Sequence, residues 1–455
     1  MPGDESAAIA RLIGLAALDV DERERIARHG AELVRAIRTG ARPGMMEVFL
    51  AEYGLSTDEG IALMCLAEAL LRVPDAVTMD ALIEDKIAPG NWAHHLGRSA
   101  SPLVNASTWA LMLTGRVLDD ERPAPVQALR GALRRLGEPV IRAATLRAMK
   151  EMGRQFVLGE TITAAMVRAR ANEAKGFTHS YDMLGEAART EADAARYLAA
   201  YAHAITALSD AAQADDIRDN PGISVKLSAL SPRFDPAQRG RMMRDLVVRL
   251  RILARQAARA NMGLNVDAEE ADRLALSLEV IDEVLADPAL SAPDCAGWYG
   301  FGVVVQAYSP RATQAIDAVH DMARRHRRPL MLRLVKGAYW DSEIKLAQVK
   351  GLAGFPVFTR KAATDISYIA NARKLLGLTN WIYPQFATHN AHTVAAILHM
   401  AGDGRRFEFQ RLHGMGEALH RLVAERHGTR CRIYAPVGAH RDLLAYLVRR
   451  LLENG

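Results

Sequence analysis

Apolar residues recur at three- and four-residue spacing through the first part of the chain. The stretches 7–18, 22–37, 57–71 and 126–136 each carry an apolar stripe on one face of a 3.6-residue period, which predicts amphipathic helices. Ser56-Thr57-Asp58-Glu59, small polar and acidic residues ahead of an apolar run, reads as a helix start. No β-rich run interrupts this part. Residues 1–170 are therefore expected to form a helical region, an arm followed by an α-domain.

From about residue 175 short β-rich runs alternate with amphipathic stretches. The runs cover 177–184, 223–230, 264–268, 302–308, 330–336, 383–388, 407–412 and 431–435. Helices are predicted over 191–211, 237–260, 271–285, 311–325, 362–375 and 441–452. Strand–helix alternation implies a parallel sheet. About eight such units in about 280 residues fit a closed (β/α)8 barrel better than an open doubly wound sheet. The expected fold is α/β: a (β/α)8 barrel over 171–455 behind an all-α region, with functional side chains at the strand C-termini.

Within the runs the two faces differ. Ile223, Val225 and Leu227 alternate with Ser224, Lys226 and Ser228; Leu264 and Val266 with Asn265 and Asp267. Leu330, Leu332 and Leu334 oppose Met331, Arg333 and Val335, and Phe407 and Phe409 oppose Glu408 and Gln410. The aliphatic faces would pack under helices and the polar faces would line the barrel. An unpaired buried charge costs several kcal/mol, so these charges need partners or a ligand. Two readings stand: an ion-pair network of Lys226, Arg333, Asp267 and Glu408, or a binding site at the strand ends.

Composition narrows the classes. Lys and Arg number 58 against 53 Asp and Glu, a net +5 that does not call for nucleic acid. Hydrophobic residues at 50% and charged residues at 24% describe a folded globular chain, not disorder, collagen or a coiled coil. Cys65, Cys295 and Cys431 lie far apart with no CxxC, against a disulfide framework and in keeping with a reducing compartment. No apolar run approaches the roughly 18 residues of a membrane span, and the start, with Asp4 and Glu5, lacks a signal pattern. Adjacent His94 and His95 would point apart on a helix and are read as structural; no metal site is expected.

In the last predicted helix Tyr446, Arg449, Arg450 and Glu453 share one face, with Leu443, Leu444, Leu447 and Leu451 as the packing stripe. Alone this is a basic surface. Directly after the eighth strand, near Lys226, it becomes a receptor for a small carboxylate.

Ile223-Ser-Val-Lys-Leu-Ser-Ala-Leu230, Leu264-Asn-Val-Asp-Ala-Glu-Glu270, Leu332-Arg-Leu-Val-Lys-Gly-Ala-Tyr-Trp340, Phe386-Ala-Thr-His-Asn390 and Tyr446-Leu-Val-Arg-Arg450 together closely resemble the flavin-dependent proline dehydrogenase family. The N-terminal helices and Tyr434-Ala-Pro-Val-Gly438 are most similar to its bifunctional bacterial branch, the proline utilization A proteins. The resemblance covers about residues 45–455 and is strongest from 177 onward. It implies a distorted (β/α)8 barrel whose final helix lies over the mouth. It implies oxidation of L-proline to Δ1-pyrroline-5-carboxylate, with FAD as hydride acceptor and a membrane quinone reoxidising it. No GxGxxG opens a helix after a strand, which is no obstacle because this family holds FAD at barrel strand ends.

Position by position, the resemblance assigns Lys226, Arg449 and Arg450 to the proline carboxylate. Asp182 stands beside that clamp, and Glu186 would pair with Arg450. Tyr339, Leu412, Tyr434 and Tyr446 would wall the substrate pocket. Arg333 would contact the flavin near N5, with Asp267 and Ala268 beside it and Gln306 at the ring edge. Val335, Lys336, Gly337, Ala338 and Trp340 would follow along the flavin. Thr359, Arg360 and Lys361 would meet the pyrophosphate and adenosine end, and Thr388, His389 and Asn390 also match cofactor positions. The catalytic group is thus expected to be Arg333, Asp267, Lys226 and Tyr434. His389 and His392 lack a third ligand for a metal reading.

The chain starts without a ribbon-helix-helix segment, so no nucleic-acid partner is expected. It ends at Glu453-Asn454-Gly455, with no room for the aldehyde dehydrogenase half of the bifunctional branch. An excised portion of such a parent chain is the expectation, cytoplasmic, with peripheral contact at the inner membrane.

Overall fold

The computed structural model describes residues 5–40, 78, 156–295, 297–404 and 406–438. Contacts group the chain into two compact units, Met1–Gly40 with Thr161–Val437, and Ala41–Glu160 with Gly438–Gly455. The first carries the barrel. The helices expected over 57–71, 126–136 and 441–452 fall outside the described residues.

Eight parallel strands close in sequential order: β1 (Thr178–Met183), β2 (Gly222–Val225), β3 (Gly263–Val266), β4 (Phe301–Gln306), β5 (Leu330–Val335), β6 (Ile382–Ala387), β7 (Glu408–Leu412) and β8 (Arg430–Val437). Closure is made by β1 on β8, with Ser180 opposite Tyr434 and Asp182 opposite Pro436. The (β/α)8 expectation holds.

Around the strands run α1 (Glu5–Ala16), α2 (Val20–Gly40), α3 (Ile162–Glu173), α4 (Glu191–Ser209), α5 (Arg239–Arg259), α6 (Leu274–Leu285), α7 (Ala312–Arg325), α8 (Trp340–Val349), α9 (Lys361–Leu376), α10 (Ala391–Ala401) and α11 (Glu417–His427). Local chemistry starts several of them. Thr190 and Asp193 form a reciprocal capping box for α4. Asn390 caps α10 by accepting from the Thr393 amide at 3.0 Å. In α5, Met242, Leu246, Leu250, Leu253 and Ala257 form the buried stripe.

The aliphatic strand faces pack outward as expected: Ile223, Val225, Leu264, Leu332, Leu334, Phe386, Phe409 and Ile433 are buried. Fully burying one such side chain contributes about 1.5–3 kcal/mol. One predicted run was too long. The chain leaves the sheet after Val225 and, with Lys226 as its N-cap, makes one helical turn, Leu227–Leu230. The outer layer includes α1 and α2. Ala8, Leu12 and Ala16 of α1 pack on Phe358, Ala363 and Ala370. On α2, Gly30 lets the helices approach closely: a Cβ there would stand 3.2 Å from the His392 Cα.

The barrel interior is polar and layered. Toward the strand N-termini, Glu408 Oε1 accepts from Arg432 Nε at 2.9 Å, Gln385 Nε2 at 2.9 Å and Gln410 Nε2 at 2.8 Å. Asn265 donates to Gln385 Oε1 at 2.8 Å. It fits because β4 offers Gly302 opposite it; a Cβ there would lie 2.3 Å from Asn265 Nδ2. Arg432 also donates to the carbonyls of His179, Asn220 and Arg218. The anticipated four-charge network therefore divides. Glu408 belongs to this lower layer with Arg432, while Lys226, Arg333 and Asp267 meet one level above.

Candidate active site

The site is built by side chains leaving the C-terminal ends of consecutive strands. Asp182 is fully buried at the end of β1. Its Oδ1 accepts from Lys226 Nζ at 2.6 Å. Lys226 follows β2, its amide anchored on the Tyr201 hydroxyl at 3.3 Å. Its ammonium also donates to Asp267 Oδ2 at 3.4 Å and to the Tyr434 hydroxyl at 3.3 Å. All three protons therefore have protein acceptors, one short and two long. Burial disfavours the ammonium, but Asp182, Tyr434 and Asp267 outweigh it and hold Lys226 protonated, above its ordinary range.

Arg333, on β5, is 3% exposed. Its Nε donates to Gln410 Oε1 at 2.7 Å, one terminal nitrogen to Asp267 Oδ1 at 2.8 Å, and the other to Ser224 Oγ at 3.1 Å and Ser180 Oγ at 3.3 Å. The Tyr434 ring lies 5.1 Å from its guanidinium carbon. Asp267 is the hub: it accepts from Arg333, Lys226 and the Tyr434 hydroxyl, the last at 2.7 Å. Four of the anticipated charged or phenolic residues, with Asp182, thus form one interlocked cluster. Gln410 ties it to Glu408 below.

The remaining positions flank this cluster. Gln306 ends β4 and donates to the Glu269 carbonyl at 2.8 Å; Ala268 shares the cleft beside Asp267. Val335, half-buried, ends β5, and Lys336 turns outward to pair with Asp365. Gly337 takes φ +137, with its backbone against the Tyr308 ring. Ala338 and Tyr339 lead into α8, whose first residue, Trp340, donates to the Phe358 carbonyl at 2.7 Å. Thr359, Arg360 and Lys361 stand at the N-terminus of α9. Thr388 and Asn390 form the turn into α10: the Thr388 hydroxyl accepts from the Asn390 amide at 3.1 Å. His389 Nε2 accepts from the Leu412 amide at 3.0 Å, so its proton sits on Nδ1. Among the described residues no group of three or more His, Cys, Asp or Glu is placed to hold a metal ion.

Tyr446, Arg449 and Arg450, assigned to the substrate side from the last predicted helix, lie outside the described residues. Sequence reasoning passed over Ser180, Ser224 and Gln410, which orient Arg333. Ser224 and Gln410 stood on polar strand faces and carried that much signal. Glu5, which reaches Thr359 from the N-terminus, carried none.

A closed parallel barrel with a lysine, an arginine, a tyrosine and two carboxylates interlocked at its C-terminal mouth has the layout of a (β/α)8 enzyme. A family model described as proline dehydrogenase matches residues 165–455, and the chain belongs to that family. A second, described as the DNA-binding domain of proline dehydrogenase, matches residues 45–156. The chain is 52% identical over 464 residues to the bifunctional protein PutA of Salmonella typhimurium, covering 99% of this chain and 35% of that protein. Proline dehydrogenase 1 of Bacillus subtilis is 25% identical over 305 residues, 66% of this chain and 86% of that protein. A crystal structure of a Bradyrhizobium japonicum proline utilization A (PutA) mutant is 50% identical with a TM-score of 0.74, covering all of this chain and 45% of that one. The chain spans about a third of the length of the bifunctional relatives it matches.

The second match runs against the expectation of no nucleic-acid partner. That expectation rested on the small net charge and on the missing ribbon-helix-helix start, neither of which tests residues 45–156. Apart from Thr78, residues 45–155 lie outside the described ones.

Proposed function

We propose that this chain oxidises L-proline to Δ1-pyrroline-5-carboxylate, the first step of proline catabolism to glutamate, with FAD as resident cofactor and a membrane quinone as electron acceptor. The observation that carries the reading is the Lys226–Asp267–Arg333–Tyr434 cluster at the barrel mouth, inside the segment that matches the family model.

The residues present fit a flavin dinucleotide. Arg333 is fixed at the centre by four acceptors, and the Thr359 amide and hydroxyl already hold an anionic group, the Glu5 carboxylate. Arg333, Asp267, Ala268 and Gln306 would hold the ring system. Val335, Lys336, Gly337, Ala338 and Trp340 would run beside it. Thr359, Arg360, Lys361, Thr388, His389 and Asn390 would hold the remainder. When bound, the flavin supplies a two-electron acceptor for the hydrogen leaving C5 of proline.

The protein's part is orientation and charge. Proline is a small zwitterion, so its carboxylate is the handle. Lys226 can turn one of its two long donations, toward Asp267 or Tyr434, to that carboxylate while keeping the 2.6 Å bond to Asp182. Arg449 and Arg450 complete the clamp in this reading. Leu412, Tyr434, Tyr339 and Tyr446 enclose the ring and exclude water. Arg333, braced by Asp267 and Gln410, cannot swing away and so favours negative charge arriving at its side of the site. Fixing the carboxylate fixes C5, the alignment on which the rate depends.

An aldehyde dehydrogenase region in a longer parent chain, and a cytoplasmic protein with peripheral contact at the inner membrane, complete the proposal. Among the described residues no helix is long and apolar enough to cross a membrane. The test is a visible spectrum of the purified chain followed by proline addition. Flavin bands that bleach with proline support the reading. A colourless protein, or bands indifferent to proline, would overturn it.

A further inference from the structure

α1 brings a carboxylate to the barrel rim from the far end of the sequence. Glu5, in its first turn, accepts from the Thr359 amide at 3.2 and 3.4 Å and from the Thr359 hydroxyl at 3.0 Å. Thr359 lies just ahead of α9, whose N-cap, Arg360, makes no side-chain cap bond. The carboxylate therefore supplies the negative charge that a helix start favours.

Both sides of this contact are fixed. On one side, Ala8, Leu12 and Ala16 dock α1 on Phe358, Ala363 and Ala370. On the other, the Phe358 amide donates to the Tyr308 carbonyl at 2.7 Å, and its own carbonyl accepts from Trp340 at 2.7 Å. Thr359 is thus held in place, and Glu5 is delivered to it by a packed helix.

The flavin reading above places Thr359 at the cofactor's pyrophosphate and adenosine end, where its amide and hydroxyl are the donors it can offer a phosphate, and the present inference rests on that reading. One amide proton serves one good acceptor, and two anions sharing these donors repel each other. We propose that Glu5 is an intramolecular occupant of the diphosphate seat. The first turn of α1 must yield its carboxylate's place when FAD binds. Cofactor loading is thereby coupled to the N-terminal arm.

The arrangement discriminates among flavins. Riboflavin, which lacks a phosphate, does not need the seat; FAD does. ADP, carrying the diphosphate without the flavin, meets the same competitor. The apo form of the full chain is titrated with FAD, ADP and riboflavin, following flavin fluorescence for two and calorimetry for ADP, in the wild type and in Glu5→Gln and Glu5→Asp.

Glu5→Gln is expected to tighten FAD and ADP by roughly tenfold, the size of one exchanged charge-assisted hydrogen bond, and to leave riboflavin unchanged. Glu5→Asp, which withdraws the charge by one methylene, should fall between. Unchanged FAD affinity in both variants, or equal tightening of all three ligands, overturns the proposal. Weaker FAD binding also overturns it, by making Glu5 a cofactor ligand instead. These outcomes leave the flavin reading intact. Failure of every form to bind FAD sinks that reading and this inference with it.

Discussion

The Tyr434 hydroxyl stands 2.7 Å from Asp267 Oδ2, to which it donates, and accepts from Lys226 Nζ at 3.3 Å. One phenol thus joins the β8 wall to both the lysine and the carboxylate that brace the site. Through Asp267 it also reaches Arg333.

Tyr434→Phe keeps the ring and removes both bonds. Lost hydrogen bonds to charged groups in a dry site cost about 1.5–3 kcal/mol, or about one to two decades in an equilibrium. The expected result is a proline KM raised by at least about tenfold, with the flavin still bound. Steady-state proline:dye kinetics with the flavin-to-protein ratio check it, and a variant kinetically identical to wild type would remove Tyr434 from the site.

Gly337→Ala should injure the flavin side. The backbone has φ +137, a region that L side chains rarely adopt, and the new Cβ would sit 2.4 Å from the Tyr308 ring. Backbone strain of about 1–3 kcal/mol adds to the overlap. Loss of bound flavin together with a lowered Tm is expected. Full flavin retention would show that the loop after β5 tolerates a side chain there.

His420 predicts an acid-side loss of stability. It is 1% exposed, its Nε2 sits 2.7 Å from the Thr388 carbonyl, and burial lowers its pKa from 6.5 to about 4. Between those values the unfolded chain binds the proton and the folded chain does not. The contribution is present above pH 6.5 and is lost as pH falls toward about 4, with a slope of at most about 1.4 kcal/mol per pH unit. His420→Gln, whose amide can still donate to Thr388, should flatten that slope. Urea midpoints at pH 7, 6 and 5 decide; parallel curves for the two proteins would refute the assignment.

Arg449→Met and Arg450→Met test the last predicted helix, for which the warrant is sequence spacing. Each should raise the proline KM by about one to two decades, the loss of a charge-assisted contact, without releasing flavin. Unchanged KM in both would take that helix out of the substrate pocket.

The sequence made the faces of the barrel readable because strand side chains alternate strictly. Ser224 and Lys226, Asn265 and Asp267, Glu408 and Gln410 all point where alternation puts them. Pairing was less readable, because it depends on height along the barrel axis. Glu408 joins Arg432 instead of Lys226 or Arg333 for that reason. The expected run through Leu230 failed where the chain turns at Lys226, since Leu227, Ala229 and Leu230 suit a buried strand and a buried helical turn equally. α8, α10 and α11 were not anticipated; each is short, and α8 and α10 begin directly after candidate site residues. The contact of Glu5 with Thr359 joins residues 354 positions apart, which no local pattern reports.

Arg432 has a larger consequence than its own bonds. Held by Glu408 and by the carbonyls of His179, Asn220 and Arg218, it stoppers the N-terminal end of the barrel. Among the described residues, the polar side chains of the site thus stand at the opposite, C-terminal rim, above this closed layer. If the proposed reaction runs here, substrate and product would share that rim, and the floor would act as a fixed wall against which the site is braced.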